Sequence, residues 1–236
     1  MNPWIKICGM TTPEAIEAAL AARIDAIGFV FSPSPRRLSP VEAARLAAPA
    51  RGRVLCVAVT RHPTQQLLDE IVATFAPDLW QSDFADVIAL RAPRHLAVLP
   101  VFRSGSAVPE ALPPRALFEG PSSGAGVPCD WTSAQRLARR TELILAGGLD
   151  AGTVRDAIEF VRPFGVDVSS GVEERPGIKS AEKIMQFVQA ARAAFAPQAQ
   201  AQVETRMQVE AQVQPQTQVQ APAPAGPMTR KMEALQ

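Results

Sequence analysis

Ionisable side chains occur in two short motifs that are far apart in the chain. The first, "KICG", places Lys6 and Cys8 on one face of a short strand, because side chains alternate along β structure. The second, "GVDVSSG", places Asp167 on another strand, where its carboxylate offers a partner for a buried lysine. A lysine ammonium beside a thiol favours the thiolate, which can remove a proton from a substrate. The two motifs therefore predict a site for acid–base chemistry.

The same residues also fit a structural role. Free cysteines are usually buried and unreactive, so Cys8 taken alone is typical of a small core residue. An inward-facing Lys6 changes that interpretation, because an unpaired buried ammonium costs several kcal/mol and requires a partner. A pair between Lys6 and Asp167 could then serve as structural or electrostatic support rather than take part in the chemistry.

A segment rich in Gly, Pro and Ser, "GPSSGAGVPCDW", ends at Asp130 and precedes a predicted helix. An aspartate in this position commonly caps the helix by accepting a backbone hydrogen bond. It could instead face Cys8 across the site and act as a general acid. Both roles stay open for Asp130.

Two turns near the end of the predicted domain, "LAGGLD" and "SSGVE", contain closely spaced small residues. Backbone N–H groups at Gly147 and Gly148, and at Ser170 and Gly171, could approach a phosphate from two sides. A third loop, "SPSPRRLSP", carries Arg36, whose planar fork suits a carboxylate, and Arg37, which we expect to face solvent.

Eight short apolar runs supply the strands that must position these side chains. They cover residues 4–8, 26–31, 54–59, 78–82, 97–102, 115–119, 143–147 and 165–170. Most of the intervening segments have apolar residues at helical spacing. Eight strand–helix units in about 195 residues predict a (β/α)8 TIM barrel, with its active site at the C-terminal ends of the strands. Barrel closure makes strand 8 the neighbour of strand 1, so Lys6 should meet Asp167.

The composition changes near Ala196, where a segment of mostly Gln, Ala, Val and Pro begins. Isolated valines among glutamines bury too little surface to offset chain entropy. We therefore predict a barrel domain over residues 1–196 and a disordered tail over residues 197–236. A partner-binding segment is the alternative for the tail.

Composition also limits the class of function. The 236 residues carry a formal net charge of +1, which gives no electrostatic reason to expect nucleic-acid binding. No apolar run is long enough to span a bilayer, and the N-terminus lacks a signal-peptide pattern. Three cysteines without a CxxC spacing are typical of reduced thiols in the cytoplasm. With two widely separated histidines, we expect no metal site.

Taken together, these motifs resemble the phosphoribosylanthranilate isomerase family of tryptophan biosynthesis. The resemblance covers residues 5–188, includes Gln81 of "LWQS", and is most specific in "KICGMT" and "GVDVSSGVEERPGIKS". It implies a (β/α)8 barrel that converts N-(5-phosphoribosyl)anthranilate into 1-(2-carboxyphenylamino)-1-deoxyribulose 5-phosphate. This Amadori rearrangement needs neither a cofactor nor a metal.

The resemblance also implies a role for each matching residue. Cys8 corresponds to the general base, Asp130 to the general acid, and Arg36 to the contact with the anthranilate end. The two glycine turns correspond to the phosphate site. The sequence departs from the family pattern at Ser82-Asp83, where Leu-His-Gly is usual, and at residues 123–126, where Ser-Gly-Ala-Gly stands for Gly-Gly-Thr-Gly. Both departures concern the pocket wall.

Two other functions stay open. One is a related sugar-phosphate isomerase of the histidine pathway, which usually has a carboxylate where this chain has Cys8. The other is a non-catalytic phosphate-binding barrel that acts through its tail. We expect a small sugar phosphate as ligand, no nucleic-acid or membrane partner, and a monomer or homodimer.

Overall fold

The fold is a closed barrel of eight parallel strands, in a computed structural model that describes residues 4–121 and 129–212. The strands are β1 (Trp4–Cys8), β2 (Ala26–Val30), β3 (Leu55–Val59), β4 (Leu79–Asp83), β5 (Ala97–Arg103), β6 (Arg115–Glu119), β7 (Glu142–Leu145) and β8 (Gly165–Val168). Each strand pairs with the next, and β1 pairs with β8 to close the barrel. Every observed strand end lies within two residues of its predicted end, and the predicted (β/α)8 barrel is confirmed.

Seven α-helices connect or follow the strands in the described residues. They are α1 (Pro13–Ala21), α2 (Pro40–Ala47), α3 (Gln65–Thr74), α4 (Phe84–Ala89), α5 (Trp131–Ala138), α6 (Val154–Val161) and α7 (Ala181–Gln212). Thr12 and Ser39 each accept a backbone hydrogen bond at a helix start, with proline directly after them, which is the residue order that favours a helix N-terminus. Residues 104–114 join β5 to β6 without a helix, so one of the eight units lacks its expected helical half.

Side chains on the strands divide into an outer and an inner set. The outer set packs under the helices and forms the larger hydrophobic cluster. The inner set alternates with it and fills the barrel with apolar residues, including Trp4, Val57, Leu99, Leu117 and Ile144. The inner face also carries polar residues, among them Lys6 on β1, Gln81 on β4 and Asp167 on β8.

The segment after β8 forms a short antiparallel hairpin of β9 (Glu173–Arg175) and β10 (Ile178–Lys179), followed by α7. The helix continues to Gln212, beyond the domain boundary that composition predicts at residue 196. Residues 213–236, the remainder of the predicted tail, lie outside the described residues. The boundary therefore stays a prediction. Among the helices described, none has the length and apolar character needed to cross a membrane.

Candidate active site

A cavity of about 410 Å³ opens at the C-terminal ends of the strands. Its wall combines inner-face residues, such as Cys8 on β1, Gln81 on β4 and Asp167 on β8, with residues of the loops that follow β2 and β7. This is the end of the barrel at which active sites of the fold are built. Of the predicted site residues, Cys8, Arg36, Gly147, Gly148, Ser170 and Asp167 line the cavity.

Cys8 is the last residue of β1, and its side chain is buried at the cavity. Its partner in the β1–β2 ladder is Gly28. A side chain at Gly28 would bring its Cβ within 2.9 Å of the Cys8 sulfur and 3.1 Å of the Lys6 Cε. The glycine therefore provides the space that both side chains occupy inside the barrel.

Lys6 and Asp167 form a buried ion pair across the closure of the barrel. The two residues are ladder partners of β1 and β8, and Lys6 Nζ donates to Asp167 Oδ1 at 2.9 Å. Burial lowers the pKa of Lys6, but the Asp167 carboxylate and the Cys8 thiol more than offset this effect, so the pKa is raised. The structure thus brings together the two residues whose pairing barrel closure predicts.

The thiol of Cys8 is less acidic than the sequence suggests. Burial raises its pKa, and the Lys6 ammonium only partly opposes this effect. The carboxylate of Asp167 adds to the increase, because it offsets the positive charge of Lys6. The pKa of the thiol is therefore raised, whereas a base suited to neutral pH would need it lowered.

Arg36 lines the cavity, but its fork is already engaged. Its Nε and Nη2 donate to the two carboxylate oxygens of Glu173 at 2.7 and 2.8 Å, and both side chains are buried. The hydrogen bonds to Glu173 raise the pKa of Arg36, which keeps the guanidinium charged. The pair fixes the orientation of Arg36, whereas Arg37 is exposed as predicted.

Lys179 connects Glu173 to the strand that carries the thiol. Its buried Nζ donates to Glu173 Oε1 at 2.9 Å and to the backbone oxygen of Ser169 at 2.9 Å. The Ser169 hydroxyl in turn donates to the backbone oxygen of Cys8 at 3.0 Å. Sequence reasoning missed Glu173 and Lys179. The only available signal was their place in "GVEERPGIKS", the motif that carries the family resemblance.

The turns after β7 and β8 place three of the four predicted phosphate-site residues at the cavity. Gly147 and Gly148 have φ values of 92° and 67°, a backbone conformation that favours glycine. Ser170 also lines the cavity, but Gly171 does not. A Cβ at Gly171 would lie 2.0 Å from the Leu149 backbone oxygen, so this glycine allows the two turns to pack closely.

Asp130 caps α5 and is not among the residues that line the cavity. Its Oδ1 accepts from the backbone N–H of Thr132 at 3.0 Å, and its Oδ2 accepts from the Ser133 hydroxyl at 2.5 Å. The side chain is exposed, and the Ser133 hydrogen bond is the main cause of its lowered pKa. The structure therefore shows the capping role and does not bring Asp130 to Cys8.

The two departures from the family pattern have different outcomes. Ser82 and Asp83 belong to β4, where Asp83 accepts from Arg103 Nη2 at 2.5 Å. Arg103 also pairs with Glu119 at 2.6 Å, and both of these residues line the cavity. Asp83 thus anchors a network of charges on the cavity wall. The other departure, residues 123–126, lies outside the described residues.

Asp83 also belongs to a cluster with His62 and Asp86, whose ligand atoms lie within 4.8 Å of one another. Its carboxylate is engaged by Arg103, while Asp86 accepts from the Ser82 hydroxyl at 2.7 Å. These contacts explain the cluster as an ion-pair and hydrogen-bond network.

Comparisons with known proteins agree with this architecture. The family model described as N-(5'phosphoribosyl)anthranilate (PRA) isomerase matches residues 5–190. An N-(5'-phosphoribosyl)anthranilate isomerase from Rhizobium etli is 40% identical over 216 residues, which cover 84% of this chain and 97% of the relative. The crystal structure of TrpF from Jonesia denitrificans is 35% identical, with a TM-score of 0.67 over 83% of this chain and 99% of that chain.

A third comparison concerns a structure with a bound ligand. It is a phosphoribosyl anthranilate isomerase in complex with reduced 1-(o-carboxyphenylamino)-1-deoxyribulose 5-phosphate. That protein is 26% identical, with a TM-score of 0.65 over 81% of this chain and 99% of that chain.

The fold and the cavity define a (β/α)8-barrel enzyme whose site lies at the C-terminal ends of the strands. The family match spans nearly all of that barrel. The chain belongs to the N-(5'-phosphoribosyl)anthranilate isomerase family, and it is an isomerase of tryptophan biosynthesis.

Proposed function

We propose that this chain converts N-(5-phosphoribosyl)anthranilate into 1-(2-carboxyphenylamino)-1-deoxyribulose 5-phosphate by the reaction that gives the family its name. The observation that carries the proposal is the position of Cys8. It lies beside the buried Lys6–Asp167 pair, in a cavity that Arg36 and the Gly147 turn also line. The cavity thus combines a candidate base with groups suited to both anionic ends of the substrate.

The reaction needs one acid and one base. The acid protonates the ring oxygen of the ribosylamine, and the C1–O bond breaks to give a Schiff base between C1 and the nitrogen. The base then removes the proton from C2, and the electron pair of that C–H bond moves towards the nitrogen to give an enolamine. Transfer of a proton to C1 and loss of the enol proton give the ketone, so the reaction consumes neither an oxidant nor a reductant.

Cys8 is the base in this proposal, because it is the titratable group at the end of β1 that faces the cavity. Its raised pKa means that little thiolate is present at neutral pH. A thiolate that does form is a correspondingly stronger base towards the C2 proton. Lys6 supports it electrostatically, and Asp167 holds Lys6 in place.

Asp130 is the proposed acid, and two changes must precede that role. The carboxyl must take up a proton, and the side chain must exchange its contacts with Thr132 and Ser133 for the cavity. The position of Asp130 in the chain supports the proposal. It lies in the connection between β6 and α5, immediately before α5, and this connection is at the active-site end of the barrel.

The turns after β7 and β8 are the proposed phosphate site. Gly147, Gly148 and Ser170 line the cavity, and phosphate sites of this fold usually lie at these two turns. Gly171 supports the site through its close contact with the Leu149 backbone. Backbone N–H groups suit a phosphate because they donate hydrogen bonds to its oxygens and present positive partial charge to the anion.

Arg36 is the proposed contact for the aryl carboxylate, and Glu173 holds its guanidinium in position. Arg36→Lys keeps the charge but loses the planar fork, and with it the two hydrogen bonds that hold the guanidinium against Glu173 and orient it towards the substrate. We expect KM for the substrate to rise about tenfold or more, from charge-assisted hydrogen bonds worth roughly 1.5–3 kcal/mol. Steady-state kinetics on the purified variant measures the change.

Arg37→Lys is the matched control for that experiment, because Arg37 is the exposed neighbour in the same loop. Its KM should stay at the wild-type value. Inorganic phosphate should inhibit both variants as it inhibits the wild type, since its proposed site lies at other turns. A silent Arg36→Lys with a sensitive Arg37→Lys would reverse the assignment of the two arginines.

The proposed reaction is tested by following the fluorescence of phosphoribosylanthranilate as purified wild-type protein consumes it. Turnover to the ketone product supports the function. If the substrate is bound but left unchanged, the chain is a non-catalytic member of the family. If it is neither bound nor consumed, the proposed substrate is wrong.

We also propose that the barrel domain ends at residue 196 and that residues 197–236 form a separate tail. Truncation after Ala196 should leave Tm and kcat/KM unchanged, because it keeps the buried Ile184, Phe187 and Phe195 of α7 and removes a segment of mostly Gln, Ala, Val and Pro. Thermal unfolding and steady-state kinetics measure both quantities. A truncation after Gln186 removes Phe187 and Phe195 and should lower Tm strongly. A fall of more than a few degrees after the first cut would show that the segment stabilises the barrel.

We further propose a cytoplasmic location and a monomeric or homodimeric assembly. The three cysteines are free thiols in the structure, as a reducing compartment would keep them. Fractionation of cells and the mass of the purified protein in solution test these two statements separately.

A further inference from the structure

One buried side-chain polar atom in the described part of the chain has no hydrogen-bond partner: Oε1 of Gln81. Gln81 is only 5% exposed, and it lines the cavity. Buried polar groups are nearly always hydrogen-bonded, and an unmet one lowers the stability of the folded state. An unmet acceptor on the wall of a binding cavity therefore points to a donor that arrives with the ligand.

The ladder partners of Gln81 supply no side-chain donor. Its ladder partners on β3 and β5 are Val59 and Leu99, whose side chains are apolar. Its own backbone oxygen is satisfied by the N–H of Thr60 at 2.9 Å. The side-chain oxygen is therefore the one acceptor of this residue without a hydrogen-bond partner, on a side chain that lines the cavity.

The other polar side chains next to Gln81 on β4 are fully engaged. Trp80 Nε1 donates to the Thr60 hydroxyl at 2.8 Å, and the Ser82 hydroxyl donates to Asp86 at 2.7 Å. Trp80 belongs to the outer cluster, whereas Gln81 alternates with it and faces inward. The unmet acceptor is thus a property of the inner position and not of the strand as a whole.

We infer that the side-chain oxygen of Gln81 accepts a hydrogen bond from a sugar hydroxyl of the substrate. This inference rests on the proposed function. The phosphate and carboxylate ends of the substrate are anionic and cannot donate to a carbonyl oxygen, which leaves the sugar hydroxyls and the arylamine N–H. The hydroxyl at C3 is present throughout the rearrangement, and its proton can rotate to reach an acceptor. The arylamine nitrogen changes its bonding at each step, so the hydroxyl is the more constant donor.

The inference predicts opposite effects on stability and binding. Gln81→Met keeps the length of the side chain but removes the unmet acceptor from the interior. Without ligand, the variant should therefore melt about 2–4 °C higher than the wild type. This is the shift expected for a modest gain in the free energy of unfolding in a chain of this size. Its affinity for D-ribulose 5-phosphate, which carries the hydroxyls and the phosphate, should fall about tenfold. Its affinity for anthranilate, which carries only the arylamine and the carboxylate, should stay the same.

Ser82→Ala is the matched control on the same strand. Its hydroxyl is buried and partnered, and it does not line the cavity. This variant should melt at a lower temperature and bind D-ribulose 5-phosphate as the wild type does. Thermal unfolding without ligand and calorimetric titration with each probe, on the full-length protein, give all of the required values.

Three results would overturn the inference. A lower melting temperature for Gln81→Met would show that the amide has a structural partner. Unchanged affinity for D-ribulose 5-phosphate would show that no sugar hydroxyl reaches Gln81. A selective loss of anthranilate affinity would assign the donor to the arylamine. Failure of the wild type to consume phosphoribosylanthranilate would overturn the proposed function instead, and the melting and probe-binding results do not depend on it.

Discussion

Replacing Cys8 by serine should lower kcat by about 10² to 10⁴, the usual share of general acid–base catalysis. Serine keeps the side chain at the end of β1, but a hydroxyl ionises far less readily than a thiol and removes the C2 proton poorly. The fold should be preserved, because Cys8 lies at the cavity and in neither hydrophobic cluster. Steady-state kinetics with phosphoribosylanthranilate, together with thermal unfolding, measures both effects.

Cys56→Ser is the control for a thiol with no catalytic role. Cys56 lies on β3 in the outer hydrophobic cluster, away from the cavity lining. Its replacement should lower Tm and leave kcat unchanged, which is the reverse of the pattern expected for Cys8. Full activity of Cys8→Ser would require another base for the C2 proton.

The location of the thiol could be predicted from the sequence, but the direction of its pKa shift could not. The alternation in "KIC" and the closure of the barrel are sufficient to place Lys6 beside Cys8 and opposite Asp167. Whether burial or the lysine dominates depends on the net charge around the sulfur. Burial is the largest effect on the Cys8 thiol and the Asp167 carboxylate adds to it, so the pKa of the thiol rises despite Lys6.

Arg36 shows a second limit of the sequence. Its place on the loop after β2 is predictable, since strand positions and loop lengths follow from local patterns. Its partner Glu173 is 137 positions away, in a short hairpin that has no strong local pattern. The same hairpin contributes Lys179, which joins Glu173 to Ser169. Contacts of this kind depend on how loops fold over the barrel, and spacing along the chain does not encode them.

Replacing Asp130 by asparagine should also lower kcat by about 10² to 10⁴, because the amide cannot donate the proton that opens the sugar ring. Asparagine caps helices as well as aspartate does, so α5 and Tm should be preserved. The substitution therefore separates the two roles that the sequence leaves open for this residue. Kinetics and thermal unfolding of the same preparation measure them. If Asp130 only caps α5, kcat will stay at the wild-type value.

Ser133→Ala tests the acid role through the pH profile of kcat/KM. The productive form needs the Cys8 thiolate and a protonated Asp130, although burial raises the first pKa and the Ser133 hydrogen bond lowers the second. Between the two pKa values the gain in thiolate with rising pH offsets the loss of protonated carboxyl, so kcat/KM is level. Below the pKa of Asp130 the carboxyl is already protonated, and only the fraction of thiolate still falls as the pH falls. The low-pH limb of kcat/KM therefore reports the pKa of Asp130. Removing the Ser133 hydroxyl raises the pKa of Asp130. This change should move the low-pH limb of the profile to higher pH and raise the level region of kcat/KM between the two pKa values. A limb that stays in place would exclude Asp130 as the acid.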